Sequence, residues 1–292
     1  MFREQKEHKF CLEIQFLKRT HKPDIVFLLE TMVNEKNIRN FLPRIGFEHF
    51  DFVEPTNHSG GLAILWNNEK IHASILRKEQ RAIHMLIHDP SINQNLIISG
   101  IYAPAQQRDK EIFWNHLYHL NEVIDLRWCI IGDFNELANP SEKHGGWPQP
   151  STKFVRLNDF RNTINASTIP INGSLFTWKK HIHTHLIYQR LDRAIGRNNW
   201  NNLFPDAVVV HGNFSCSDYS PIILSNSIPR QQQKNFPFRF QNYWSQYHQV
   251  QHIIEMQWKS QPQGTRMFIL SQKLKILKQH LKEWAHTSLR NN

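Results

Sequence analysis

Apolar positions set out a chain of short elements. Phe10, Cys11, Ile14 and Leu17 fall on one helical stripe with Lys and Arg opposite, predicting a helix over 10–21 that Pro23 ends. IVFLL (25–29), bounded by Pro-Asp and Glu-Thr, reads as a buried strand. A second helix is expected over 34–43. GGLAILW (60–66) opens on a Gly pair and becomes a strand, and further strands follow near 71–76, 81–88 and 95–102. Phe113, Leu117, Leu120 and Ile124 recur at three and four, giving a helix over 109–126. WCIIGDFN (128–135) is a buried strand that ends in a polar turn, and 152–165 suits a short helix. Segments 174–179 and 185–193 could pair as a hairpin around 180–184, and VVV (208–210) and PIIL (221–224) read as late strands. Strands alternate irregularly with helices, so the pattern predicts mixed α/β or layered α+β.

The period changes after SIPRQQQKNFP (227–237), a polar stretch with Pro near both ends. Tyr243, Trp244, Tyr247, Val250, Ile254 and Trp258 then form one stripe. Leu270, Leu274, Leu277, Leu281 and Trp284 form a short heptad seam. This predicts one domain over 1–226, a linker over 227–238, and a tail of two helices over 239–292. That tail either needs a partner surface or packs as an ordinary helical hairpin on the main domain.

The chain has 292 residues, 40% of them hydrophobic, a globular composition in a length sufficient for one full core. Lys and Arg total 35 against 25 acids, a net charge of +10, which draws polyanions, nucleic acid foremost. Cys11, Cys129 and Cys216 are too widely spaced for a disulfide framework or a CxxC metal site, which points to a reducing compartment. The charged MFREQKEHKF start has no apolar signal core, and no run approaches the roughly 18 apolar residues that span a bilayer. The expectation is a soluble, intracellular protein, nuclear or cytoplasmic, with no membrane partner and otherwise a monomer.

Polar side chains follow the apolar runs in a regular way: Glu30 after IVFLL, Asp133 and Asn135 after WCIIG, Asp192 after LIYQRL, and Asp218 after NFSCS. Carboxylates that converge at strand ends are how a layered α/β protein builds a hard-cation site, since Mg²⁺ takes oxygen ligands and keeps waters. Taken singly, each is more often a turn or helix cap. Their order along the chain is what raises the chemical reading.

The segments around these residues resemble the endonuclease/exonuclease/phosphatase family, and within it the endonuclease domain of plant LINE (non-LTR) retrotransposons. The resemblance rests on KPDIVFLLET (22–31), IYAP (101–104) with FW (113–114) in the helix after it, IIGDFNE (130–136), SLFTW (174–178) followed by QRLDRA (189–194), CSDYSPI (216–222) and FPFRFQNYW (236–244). It implies a DNase I-like four-layer α/β sandwich of two mixed sheets with helices outside, then a helical tail leading to a reverse transcriptase. It also implies Mg²⁺-dependent hydrolysis of DNA, with Mn²⁺ as a substitute. Glu30 would bind the metal, Asp133 would orient or deprotonate water, and Asn135 and Tyr102 would contact the scissile phosphate. Asp192 would complete the site, and Asp218 would hold its catalytic neighbour. Thr177, Trp178, Arg190 and Arg193 would lie at or near the DNA surface.

Two departures follow. The family writes His where this chain has Tyr219, and a phenol with a pKa near 10 is no cationic donor at neutral pH. The family also opens on a W-N-C-R-G strand whose Asn joins the site, and residues 1–9 show no such strand, so the copy is expected to be N-terminally truncated and impaired. The rival readings are a non-catalytic nucleic-acid-binding relic and a phosphoesterase acting on small molecules or lipids. His181, His183 and His185 alternate as they would to face Zn²⁺ or Ni²⁺ from one strand face. Beside Lys179 and Lys180 they read better as a solvated hairpin tip, and His58 reads as a loop residue.

Overall fold

The computed structural model describes residues 2–31, 39, 45–55, 60–182, 185–214, 217–226, 240, 244–245, 247–259 and 263–288. The chain divides into two compact units, 1–228 and 229–292. The helix expected over 34–43 falls, Arg39 apart, outside the described residues.

In the first unit, β4 (His72–Glu79), β5 (Ala82–Asp89), β6 (Gln94–Tyr102), β7 (Arg127–Asp133), β13 (Asp192–Arg197) and β9 (Ala166–Thr168) make a six-stranded mixed sheet in the order β4-β5-β6-β7-β13-β9. β6 and β7 run parallel, joined by helix α2 (Gln107–Val123), and the other pairs are antiparallel. WCII shows why these runs lack polar alternation: Trp128 and Ile130 enter one core, Cys129 and Ile131 the other, so both faces of β7 are covered. The first core lies under α2 and α3 (Val155–Thr163), where Phe113, Trp114, Leu117, Leu120 and Phe160 bury the stripe read from sequence.

The second core lies between the large sheet and two smaller ones. One is β1 (Ile25–Leu29), β3 (Leu62–Trp66) and β2 (His49–Val53), in the order β1-β3-β2. The other is β10 (Ile171–Asn172), β14 (Val208–His211) and β15 (Ile222–Ser225). Leu62, Ile64 and Trp66 face this core, while Leu65 faces Ile14 of α1 (Phe2–His21). The layers thus run helix, sheet, sheets, helix, the predicted sandwich, with the second sheet present as two three-stranded pieces. Residues 2–9, where no strand was expected, are the first turns of α1.

The hairpin was read with the wrong boundaries. β11 (Trp178–Ile182) and β12 (His185–Gln189) form it with the two-residue β8 (Lys143–His144), in the order β11-β12-β8. The run 185–193 does not continue as one strand. It breaks at Arg190–Leu191, and Asp192 begins β13, which leaves to pair with β7. A short helix α4 (Asn198–Leu203) follows, with Trp200 buried.

In the second unit, α5 (His248–Trp258) packs on α6 (Arg266–Ser288) through Trp244, Tyr247 and Val250 against Leu281 and Trp284. Trp284 Nε1 donates to Gln249 Oε1 at 2.9 Å. The seam is buried only at its C-terminal end, because α5 is short: Leu270 and Leu274 stay 40% and 50% exposed. No described helix is long and apolar enough to cross a membrane.

The sandwich is closely packed where its sheets approach the site. A Cβ added at Gly100 of β6 would fall inside the Phe27 ring of β1. Gly100→Ala should therefore destabilise the metal-free protein by about 1–3 kcal/mol in urea unfolding. Adding Phe27→Leu should recover part of that loss, whereas two independent sites would simply add.

Candidate active site

Strand register builds the site. Tyr102 ends β6 opposite Asp133 at the end of β7, and Asp192 at the start of β13 is paired with Asp133 from the other side. Opposed residues share a face of a sheet, so the three side chains form one row at one rim. Glu30 follows β1 in the facing layer and completes the group: Tyr102 Oη donates to Glu30 Oε1 at 2.7 Å. Glu30 (φ 56°) and Asn135 (φ 47°) both hold the left-handed conformation, turning the chain sharply as each strand leaves its sheet.

Asp133 is the hub. It is 2% exposed. The Asn135 backbone N–H donates to its Oδ1 at 2.7 Å and Asn135 Nδ2 to its Oδ2 at 3.2 Å. The same Nδ2 donates to Ala103 O at 2.7 Å. Tyr219 donates its hydroxyl hydrogen bond to Asp133 as well. Tyr219 reaches the rim because residues 217–220 run along the start of β11. Trp178 and Tyr219 form a β-bridge, Lys179 N donates to Asp218 O at 2.9 Å, and Ser220 N donates to Thr177 O at 2.7 Å.

Burial dominates the electrostatics. It raises the Asp133 carboxyl to about 6 against the pull of Asn135 and Tyr219, with Glu30 adding to the rise. Burial and then Asp133 raise Asp192 well above the carboxylate range, and Thr177 and Arg193 offset part of this. Asp192 Oδ2 is buried without a hydrogen-bond partner. Burial, then the surrounding carboxylates, also raise Tyr219, so its phenol stays neutral. Arg81 lies beside the group, its guanidinium 5.1 Å from the Tyr102 ring centroid.

Several expectations are corrected. Asp218 does not enter the group. It is exposed, and its backbone carbonyl, not its carboxylate, ties it to β11. Arg193 is fully buried and does not face DNA: its Nη1 and Nη2 donate to Glu142 Oε1 and Oε2, both at 3.0 Å, and Nη2 also donates to the carbonyls of Glu136 and Arg190. Arg190 joins Glu142 at 3.4 Å with 11% of its side chain exposed, and burial pushes it down to about 10. Thr177 is also fully buried, with its hydroxyl accepting from Leu191 N at 3.1 Å and Asp192 N at 3.0 Å. These residues hold the polar end of β13 in place. Of the expected DNA-facing set, Trp178 and, to a small extent, Arg190 are partly exposed.

Glu142, Glu136 and Arg81 were not singled out from sequence. Glu142 lies in a Pro-Ser-Glu-Lys turn that reads as solvated, and only the fold closes two arginines over it. Of the alternating histidines, His183 lies outside the described residues, as does His58.

A profile of the Endonuclease/Exonuclease/phosphatase family matches residues 14–218. The fold resembles the endonuclease domain of TRAS1, a telomere-specific non-LTR retrotransposon, with TM-score 0.56 and 12% identity over 76% of this chain and 93% of that one. It also resembles a 3'-5' exonuclease from Neisseria meningitidis, with TM-score 0.56 and 14% identity over 74% and 94%. An AP endonuclease from Leishmania major gives TM-score 0.56 and 15% identity over 74% and 81%. No curated protein matches in sequence.

The raised Asp133 carboxyl has a consequence for stability. Native Asp133 holds its proton up to about pH 6, whereas the unfolded chain releases it near 3.8. Its contribution is therefore favourable at low pH and is lost as pH rises between these values, by about 3 kcal/mol. Asp133→Asn should leave stability little changed near pH 4 and raise it above pH 6 in EDTA. Thermal melts of both proteins across that range measure the difference.

Proposed function

The chain belongs to the Endonuclease/Exonuclease/phosphatase family, and we propose that it is a metal-dependent DNA endonuclease domain of a LINE-type retrotransposon, slowed by Tyr219. The observation that carries this reading is the row Tyr102, Asp133, Asp192 with Glu30 across from it. Three carboxyl groups and two phenols share one poorly solvated rim on a chain of net charge +10. In such a polyprotein the helical unit would lead into a reverse transcriptase.

The donor set suits a hard divalent cation. Glu30, Asp133 and Asp192 offer carboxylate oxygens, and Asp192 Oδ2 is buried and unpartnered. Among the described residues no three His, Cys, Asp or Glu side chains form a ready cage. This accords with Mg²⁺ or Mn²⁺, which takes one or two carboxylates and completes its shell with water and phosphate. Glu30 would hold it, and the bound ion would neutralise charge on the phosphate.

The chain's own residues supply the rest. Asp133, poised near neutrality, accepts a proton from water above about pH 6. Asn135 spends its backbone N–H and amide on Asp133 and Ala103, which fixes the carboxylate rather than leaving the amide for phosphate. Thr177 orients the backbone of Asp192. Tyr102 and Arg81 form a polar wall beside Glu30. Tyr219 contributes a neutral donor where an imidazolium would contribute charge. That difference also favours the second reading, a nucleic-acid-binding relic.

Nicking of supercoiled plasmid in Mg²⁺ and in EDTA tests the proposal. The chain should nick slowly and only with metal, and Tyr219→His should raise the rate on the order of 10²-fold or more. DNA binding that persists with no nicking by either protein would replace the nuclease reading with the relic.

A further inference from the structure

Trp147 is the most exposed large apolar side chain among the described residues, at 89%. Its backbone is nevertheless fixed. Gly145 (φ 82°) and Gly146 (φ 65°) carry the loop against β12, where a Cβ at Gly145 would strike the Leu186 carbonyl and one at Gly146 would meet Ile187 Cδ1 at 2.8 Å. Lys143 Nζ donates to the Trp147 carbonyl. The loop thus displays an indole with both faces open on an anchored main chain.

The surroundings of that indole point to its ligand. Lys143 is paired with Gln189, Gln189 with Trp178, and Trp178 with Tyr219 at the rim. Paired residues share a face, and Lys180, two positions beyond Trp178, shares it too. Outward from the site, this face carries Trp178, Lys180 and Lys143, and the Lys143 ammonium is tied to the Trp147 carbonyl. Cations interleaved with aromatic rings suit a sugar-phosphate backbone with its bases stacked alongside. Three strand spacings put β8 about 15 Å from Tyr219. That is about four base steps along a strand at ~3.4 Å each.

We propose that Trp147 stacks on an unpaired nucleobase of the DNA substrate, about four steps from the phosphate held at the rim, so that DNA with a single-stranded flank is preferred. The inference rests on the DNA-nuclease reading of the site. A base inside a duplex is already stacked on both faces, so an open indole gains most from a base that is not. Lys143 and Lys180 favour a polyanion over an apolar protein surface.

Binding of the full chain in EDTA, where metal-dependent turnover is blocked, separates the proposal from its premise. The probes are a fluorescein-labelled blunt duplex and the same duplex with a six-nucleotide single-stranded flank. The wild type should prefer the flanked duplex. Trp147→Ala should weaken flanked binding about tenfold and blunt binding less than twofold, and Trp147→Phe should keep most of the preference. A 2-aminopurine placed four nucleotides into the flank should be quenched by the wild type and not by Trp147→Ala. Equal flanked binding by wild type and Trp147→Ala overturns the stacking role and leaves the nuclease reading standing. Failure of the wild type to bind either DNA overturns both.

Discussion

Two carboxylates lie side by side in a poorly solvated rim, and the site is organised around the cost of that arrangement. Asp133 and Asp192 are paired across β7 and β13, 2% and 7% exposed. Neither has a lysine or arginine within salt-bridge distance among the described residues. Burial raises both carboxyl groups, with Glu30 adding to the rise at Asp133 and Asp133 adding to it at Asp192. An uncompensated buried charge is expensive, so the structure surrounds Asp133 with donors, the Asn135 backbone and amide and the Tyr219 hydroxyl. Asp192 has less: Oδ2 is without a partner. A rim that concentrates negative charge and leaves one carboxylate oxygen unsatisfied is prepared for something positive.

Holding that arrangement needs a rigid support, and Glu142 supplies it. Its carboxylate takes both guanidinium nitrogens of Arg193, one of Arg190 and the Ala138 N–H. Arg193 follows Asp192 directly, so locking one guanidinium behind the sheet fixes the first residue of β13 on its front. Removing one member of such a buried set strands the others and typically costs about 3–5 kcal/mol. The same geometry explains why Arg193 cannot serve as an open phosphate contact: it is fully buried with both terminal nitrogens on Glu142, and Arg190 is turned toward the same carboxylate.

The positions of most strands and helices were legible because they follow from short-range patterns, whereas the four-layer order came from the family resemblance of the motifs. Apolar runs such as IVFLL and WCII announce strands covered on both faces, and the polar residue that follows each marks where the strand meets solvent. That alone places Glu30, Asp133 and Asp192 after apolar runs, while Tyr102 was reached through the resemblance of IYAP. Direction of side chains beyond the strand end was not legible. QRLDRA resembles a DNA-facing segment of the family, yet Arg193 points into a cage whose acid lies 51 residues earlier. Asp218 reads as part of the constellation and is exposed. The α6 seam was legible as a stripe but not in its coverage. Heptad spacing identifies the apolar side of the helix, but how much of it is covered depends on the length of α5, which ends at Trp258.

Tyr219 separates what the fold preserves from what the chemistry requires. Its phenol sits at the rim, bridged through Trp178, and gives Asp133 the neutral hydrogen bond that an imidazole could also give. Structure is therefore indifferent to the exchange, and the sandwich closes around the site as it would with His. The exchange acts only on charge. With its pKa raised by burial and three neighbouring carboxylates, the phenol offers no positive charge at neutral pH. A phosphate arriving at the rim would meet Arg81 and whatever cation Glu30 holds, but no protonated partner from residue 219. On the proposed reading, affinity for DNA would rest on dispersed lysines and arginines and would not need that partner. Stabilisation of charge that develops during hydrolysis would. On the proposed nuclease reading, a tyrosine at this half-buried position would leave binding in place while slowing turnover.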